Sequence, residues 1–319
     1  MMFKKSLIFC ITLCLLFALY ACGRNKAQID FTLEAPDECT PLLYRVTDEN
    51  GNTLWLFGSI HVGQDSFYPL PEYVTTAYNA ADALAVEFDV LTYQQDTSAM
   101  MQDLKAMVYQ DGTTIADHIP QSLYEDCVRI MQENSSYVAT LDYYNIAMWF
   151  QFIESFTREK AGTNTELGID MHFLELAHQD GKPITDIESA SLQYGLLASF
   201  SQELQIMLLE SSVENYGRPD VYASSLQIMM NAWQSGNETL LSTLSNPVPL
   251  LATPEEQALY AEYTEAMITQ RNINMADFAE DALVNGQELF ICVGAAHVIG
   301  EGGMADLLAQ RGYTVEVVQ

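Results

Sequence analysis

Two histidines each follow a glycine by three residues in nearly the same setting, near opposite ends of the chain: LWLFGSIHV, with Gly58 and His61, and LFICVGAAHV, with Gly294 and His297. An imidazole is a base near neutral pH and a common ligand for divalent cations. Two acids stand in a similar place, Glu87 near the end of ALAVEFDV and Glu188 at the end of KPITDIE. Two imidazoles and a carboxylate, here His61, His297 and Glu87, make a facial ligand set that leaves positions open for water or substrate. A divalent cation held there would lower the pKa of its water and polarise a carbonyl, as ester or peptide hydrolysis requires. The second carboxylate would act as general base or fix a histidine tautomer. No HExxH or other local spacing specifies a metal. A metal-free arrangement therefore stays open, with one histidine as base and Arg271 steadying an oxyanion; Arg271 could equally neutralise buried carboxylates. His178, in the last turn of a helix, is accounted for by the helix dipole, and His118, in a loop before Ile119-Pro120, is a bystander.

These residues need elements that bring them together. Each GxxH copy ends an apolar run too short for a buried helix and bounded by glycine, which reads as a buried strand. In an open parallel sheet ligands gather at the carboxyl ends of the strands, so two such histidines can meet at one site. YRVTDENGNTLWLFGSIH reads as a hairpin turning at Asn50-Gly51. PEYVTTAYNAADAL places Val74, Ala77, Tyr78 and Ala81 on one helical face, and ALAVEFDV closes a β-α-β unit. If that strand is regular, Glu87 and Asp89 share a face. Tyr137 to Phe156 reads as a long aromatic helix, LGIDMHFLELAHQDG as a helix ending near Gly181, and KPITDIE as a third strand. Leu192 to about Trp233 is a second helical block, and Pro247, Pro249 and Pro254 mark a loop before a helix from Glu255. Arg271 and Asn272 belong to a helix running through Ala282. The last segment repeats strand, histidine, helix, strand. The expected fold is α/β: a central β-sheet from two related β-GxxH-α-β halves, with mainly helical insertions at about 97–165 and 190–265.

The N-terminus reads as an export signal. Lys4 and Lys5 precede an apolar run, short for a membrane span, that ends at Leu19-Tyr20-Ala21-Cys22. This predicts a lipoprotein signal peptide over 1–21, a lipid on Cys22 that anchors the protein to a bacterial membrane, a polar tether to residue 38 and one extracytoplasmic domain over 39–319. The formal net charge is −30, and becomes −32 without the signal, whose only charges are Lys4 and Lys5. A surface so acidic repels nucleic acid, which excludes that class of partner. Of six cysteines, Cys39, Cys127 and Cys292 lie beyond the lipidation site. They have no metal-finger spacing, and Cys292, inside an apolar strand, reads as a small core residue.

GSIHVG followed by PLP, the VEFD strand, LGIDMHFLELAHQDGKPITDIES, QRNINMADF and VGAAHVIGEGGMADLLAQRGYTVEVV together resemble the TraB/PrgY/GumN group, which includes the Tiki membrane proteases. The resemblance runs in order from about Leu54 to Val318. It implies a fold related to the erythromycin-esterase and ChaN proteins, with both GxxH motifs facing one cleft. For the Tiki branch it implies metal-dependent peptide cleavage, with the metal (manganese, cobalt or zinc) on His61, His297 and Glu87. Glu188, Arg271 and Asn272 match further family positions. The expectation is thus a lipid-anchored, metal-dependent hydrolase of peptides, with Glu87, Glu188 and Arg271 in its chemistry. Its rivals are a protein that binds a peptide or small ligand without turnover and a metal-free esterase.

Overall fold

A computed structural model describes residues 34–245 and 253–318. The expected signal peptide, Cys22, most of the tether and the loop with Pro247 and Pro249 lie outside the described residues. The hairpin forms where the sequence predicts it. β1 (Leu43–Thr47) and β2 (Thr53–Ser59) pair antiparallel, with Val46 opposite Leu54. Asp48 fastens the turn by accepting from the backbone N–H groups of Asn50 and Asn52, at 2.9 and 2.8 Å. Its short carboxylate thereby stands in for strand bonds that a reversing chain cannot make.

Pro71 precedes α1 (Glu72–Ala80), whose Val74, Ala77 and Tyr78 are buried at helical spacing, and β3 (Ala83–Val86) follows. The strand stops one residue short of Glu87. Asp89 therefore does not share its face; it caps the short helix α2 (Val90–Tyr93), accepting from the N–H groups of Leu91 and Thr92. Next come α3 (Thr97–Ala106), α4 (Gln121–Glu133) and α5 (Ile146–Lys160). The aromatic segment is thus not one helix from Tyr137. A 3-10 turn spans Ala139–Tyr143, and Asn145 starts α5 by accepting from the Met148 N–H at 3.1 Å, as an N-cap asparagine does.

After α6 (Ile169–Asp180) and β4 (Ile184–Asp186), the second helical block divides into α7 (Ala190–Ser199), α8 (Gln202–Tyr216), α9 (Pro219–Gln234) and α10 (Glu238–Ser245). Ser201 caps α8 and Pro219 opens α9, two starts that break what periodicity alone reads as continuous. α11 (Pro254–Thr264) begins with a capping box between Thr253 and Glu256 and runs through a π-helical turn, Glu265–Thr269, into α12 (Gln270–Val284). β5 (Leu289–Gly294), the single turn α13 (Ala295–Val298), α14 (Met304–Gln310) and β6 (Thr314–Val318) complete the chain.

The fold is mixed α/β, with the six strands in the order β4-β3-β5-β2-β1-β6. β2, β5, β3 and β4 pair in parallel, whereas β1 is antiparallel to both β2 and β6. The two GxxH strands are neighbours, yet their connections leave in opposite directions. The chain from β2 crosses β5 to reach β3; the chain from β5 crosses β2 and β1 to reach β6. Divergence of this kind opens a crevice at the strand ends. Phe57, Phe173 and Phe290 lock β2, α6 and β5 together, with ring centroids 4.8–5.6 Å apart. All three are fully buried. Cys39, Cys127 and Cys292 are free thiols, and Cys292 is a core residue of β5. Among the described residues no helix is long and apolar enough to cross a membrane.

Candidate functional site

Strand register brings the chemistry to one edge. Ser59 stands opposite Gly294, and Val86 is opposite both Cys292 and Asp186. The residues just beyond these pairs, Glu87 and Glu188, stay side by side because the Glu188 N–H donates to the Glu87 carbonyl at 2.8 Å. His61 leaves β2 and His297 sits in the turn α13 directly after β5. Glu87, His297 and His61 surround Gly294. A Cβ at that residue would lie 3.3 Å from Glu87 Oε1, 3.5 Å from His297 Cδ2 and 4.0 Å from His61 Nε2. Gly58 serves the approach of the two strands' exits, since a Cβ there would meet the Ala295 backbone at 2.9 Å.

Each histidine is held through Nδ1. His61 Nδ1 lies 2.6 Å from Asp170 Oδ2, and the Ser59 hydroxyl donates to the other oxygen of the same carboxylate. Asp170 is in the first turn of α6, and the Ile169 N–H donates to the Ile60 carbonyl at 2.9 Å, so the helix start is sewn to the GxxH loop. His297 Nδ1 lies 2.7 Å from Asn272 Oδ1, while Asn272 Nδ2 donates to the Gly302 carbonyl at 2.8 Å. That second bond fixes which end of the amide faces the imidazole. Asn272 Oδ1 can only accept, so His297 carries its proton on Nδ1 and keeps a lone pair on Nε2.

Arg271, 2 % exposed, joins the two glutamates. Its Nε and Nη2 donate to Glu188 at 2.8 and 2.7 Å, and Nη2 also donates to Glu87 Oε2 at 2.6 Å. Nη1 donates to the Met267 carbonyl in the π turn at 3.2 Å. Fork geometry of this kind is what arginine, and not lysine, supplies. Gln193, from α7, donates to both Glu87 Oε2 and Glu188 Oε2 at 2.8 and 3.1 Å. Glu87 Oε1 accepts from the Gly294 N–H at 3.0 Å.

The charges act on one another strongly because the groups are out of water. Burial opposes the charged form of Glu87, but Arg271, then the two histidines and the Gly294 N–H, outweigh it and hold the carboxyl far below the usual range. Burial likewise opposes a charged His61; Asp170, by charge and hydrogen bond, and then Glu87 reverse this and raise its pKa. His297 goes the other way. Burial, the Arg271 charge and His61 press its pKa down to about 3, against the pull of Glu87.

The cleft beside these groups has a second, apolar wall made by Leu226, Met229 and Trp233 of α9, Leu241 of α10 and Ile268 of the π turn. Among the described residues, no three His, Cys, Asp or Glu side chains are already arranged to hold a metal ion. The donor set nevertheless has the chemistry of one. Both imidazoles have Nδ1 bound to an outer oxygen, the usual support for a histidine that binds metal through Nε2. Three carboxylates, Glu87, Glu188 and Asp170, outnumber the guanidinium groups of Arg271 and Arg158 that act on the histidines. Arg271 itself works against a cation, so Glu87 Oε1, turned away from the guanidinium, is the oxygen available.

All five residues singled out in the sequence, His61, Glu87, Glu188, Arg271 and His297, are thus assembled in one place. Asp89 is elsewhere, accepting from Thr92 and standing 2.7 Å from His178 Nε2. His178 therefore has a carboxylate partner in addition to its place at a helix end. His172 packs on Tyr68 and Phe173, and His118 stacks on Tyr109. Asp170 and Gln193 escaped the sequence reading. Asp170 is an acid in a first helical turn, where the dipole explains it without any site, and its partner is 109 positions away.

The model of the TraB/PrgY/gumN family matches residues 42–317. The chain is also 28 % identical over 260 residues to the "uncharacterized protein YbaP" of Escherichia coli K12, covering 79 % of this chain and 86 % of that protein, and to its Shigella flexneri counterpart to the same extent. No solved structure matches it. With a family match spanning the sheet, both GxxH motifs and the helices between them, the chain belongs to the TraB/PrgY/gumN family.

Proposed function

We propose that this protein is an exported, lipid-anchored hydrolase of the TraB/gumN and Tiki type that cleaves peptides with a divalent metal held by His61, His297 and Glu87. The supporting observation is the convergence of His61 Nε2, His297 and Glu87 Oε1 around Gly294, with Asp170 and Asn272 holding the far side of each imidazole. Manganese, cobalt or zinc, when bound, would polarise the substrate carbonyl and supply an acidified water. Asn272 keeps Nε2 of His297 unprotonated, and Asp170 orients His61. Because Asp170 also raises the proton affinity of His61, metal loading should compete with a proton there and improve as pH rises. Arg271 and Gln193 fix Glu87 and Glu188, so the carboxylates keep their place when the cleft fills. On this reading the two GxxH segments are the related halves of a ChaN-like sheet, and Cys22 carries the lipid.

The test is metal stoichiometry by elemental analysis after incubation with each ion and removal of what is unbound. About one equivalent should stay on the wild type and be lost from a folded His61→Ala/His297→Ala variant, and peptide turnover should stop on chelation. A second reading has its own support: His61 paired with Asp170 has the form of a general base and its orienting acid. Hydrolysis that survives chelation would select this metal-free esterase, and capture of peptide with no product would select a binding protein.

A further inference from the structure

The two walls of the cleft differ in kind. One carries His61, Glu87 and His297; the other, apart from Ser245 at the end of α10, is hydrocarbon, thioether and indole surface. Leu226, Met229 and Trp233 are spaced i, i+3 and i+7 and so share one face of α9, and Ile268 and Leu241 flank them from the π turn and α10. No lysine or arginine lines the cleft among the described residues. The indole of Trp233 has no donor to offer, because its N–H is bound to the Gly58 carbonyl at 2.7 Å. That bond, with ring contacts to Phe57 and Phe67 at 6.0 and 4.7 Å, fixes the ring as a rigid apolar surface.

We propose that this wall is a subsite for one aliphatic or aromatic side chain of the substrate, beside the bond that is cut, and that Met229 and Ile268 set its size. The inference deepens the hydrolytic reading and rests on it for turnover alone. A phosphate or carboxylate would find no lysine or arginine on this wall among the described residues, and a lysine side chain would lose water on the apolar wall without gaining a partner. Leu226, Trp233 and Leu241 are at most 3 % exposed and belong to the core. Met229 and Ile268 are only partly covered; they can yield to a ligand, and an unbranched thioether adapts most readily.

The test uses acetylated, amidated pentapeptides identical except for a central Leu, Phe, Lys or Asp. The metal-loaded full chain should cleave the Leu and Phe members with kcat/KM about tenfold or more above the Lys and Asp members. Met229→Ala and, separately, Ile268→Ala should shift preference from Leu toward Phe. The His61→Ala/His297→Ala variant should bind the same series in the same order by calorimetry, with no cleavage. Equal handling of all four peptides, or a ranking unmoved by both wall substitutions, overturns the subsite. Side-chain-selective binding with no cleavage by the wild type leaves the subsite standing and overturns the hydrolase; cleavage without selectivity does the reverse.

Discussion

His61 and His297 occupy the same position in the same short motif, and their surroundings give them opposite tendencies. His61 faces a carboxylate and gains affinity for a proton; His297 faces an amide, lies next to the Arg271 guanidinium and is pressed down to about 3. A repeated motif therefore fixes where an imidazole stands, while residues from distant helices decide what it does. One member of the pair gains affinity for a proton and the other loses it and offers a lone pair. Acid–base work in one cleft needs that kind of separation.

The comparison breaks most completely if its common charge is removed. Arg271→Met leaves Glu87 and Glu188 buried without a cation, which should cost about 3–5 kcal/mol in urea unfolding. It should also lift the pKa of His297, read by NMR titration, because Arg271 is a leading cause of its depression. Next in size, Asp170→Asn gives the first histidine the kind of partner the second has. The proton affinity of His61 should then drop in the same titration, and metal retention or turnover should fall roughly 10–100-fold, the usual cost of losing an outer-shell partner. If His61 were unmoved, the assignment of its shift to Asp170 would be wrong.

The most gradual effect is on stability against pH. An unfolded chain takes up a proton at His297 near pH 6.5, whereas the folded one resists it down to about 3. The unfolded state binds more protons across that window, so stability is full above it and is lost as pH falls, at no more than about 1.4 kcal/mol per pH unit. His61, with a raised pKa, acts with the opposite sign: its contribution is present below 6.5 and lost as pH rises through its folded value. His297→Gln should flatten the acid side of the stability curve between pH 6.5 and 5 and leave the alkaline side alone. An acid side as steep as that of the wild type would assign the loss to other groups.

What the sequence disclosed and what it hid divide along physical lines. The helix after Pro71 was legible because burial on one face leaves a period of 3.6, the hairpin because Asn50-Gly51 marks a turn, and the strands carrying both motifs because burial on both faces leaves short apolar runs bounded by glycine. Glu87 was legible because an acid at the end of an apolar strand needs a partner, and Glu188 because it follows a strand that ends at the same edge. Asp89 misled for want of one backbone detail, since β3 ends at Val86 and the chain turns there into a helix cap. Asp170 and Gln193 were invisible because long-range hydrogen bonds leave no local spacing; each sits where a helix would accept it for reasons of its own. Ser201 and Pro219 show the limit of periodicity, since a cap breaks a helix without disturbing the apolar pattern on either side.

The π turn at Glu265–Thr269 carries a last consequence. A π turn fits one more residue into its loop than an α turn does, and each helical residue advances the rod by about 100°. α11 and α12 are therefore one rod in two angular phases. The first is indexed to pack on α8, and the second presents Arg271 and Asn272 inward against β2, α13 and α14. The offset lets the helical layer and the strand-end layer be adjusted separately. Removing one residue from the turn would rotate α12 by about 100° relative to α11 and carry the guanidinium and amide away from the glutamates and His297.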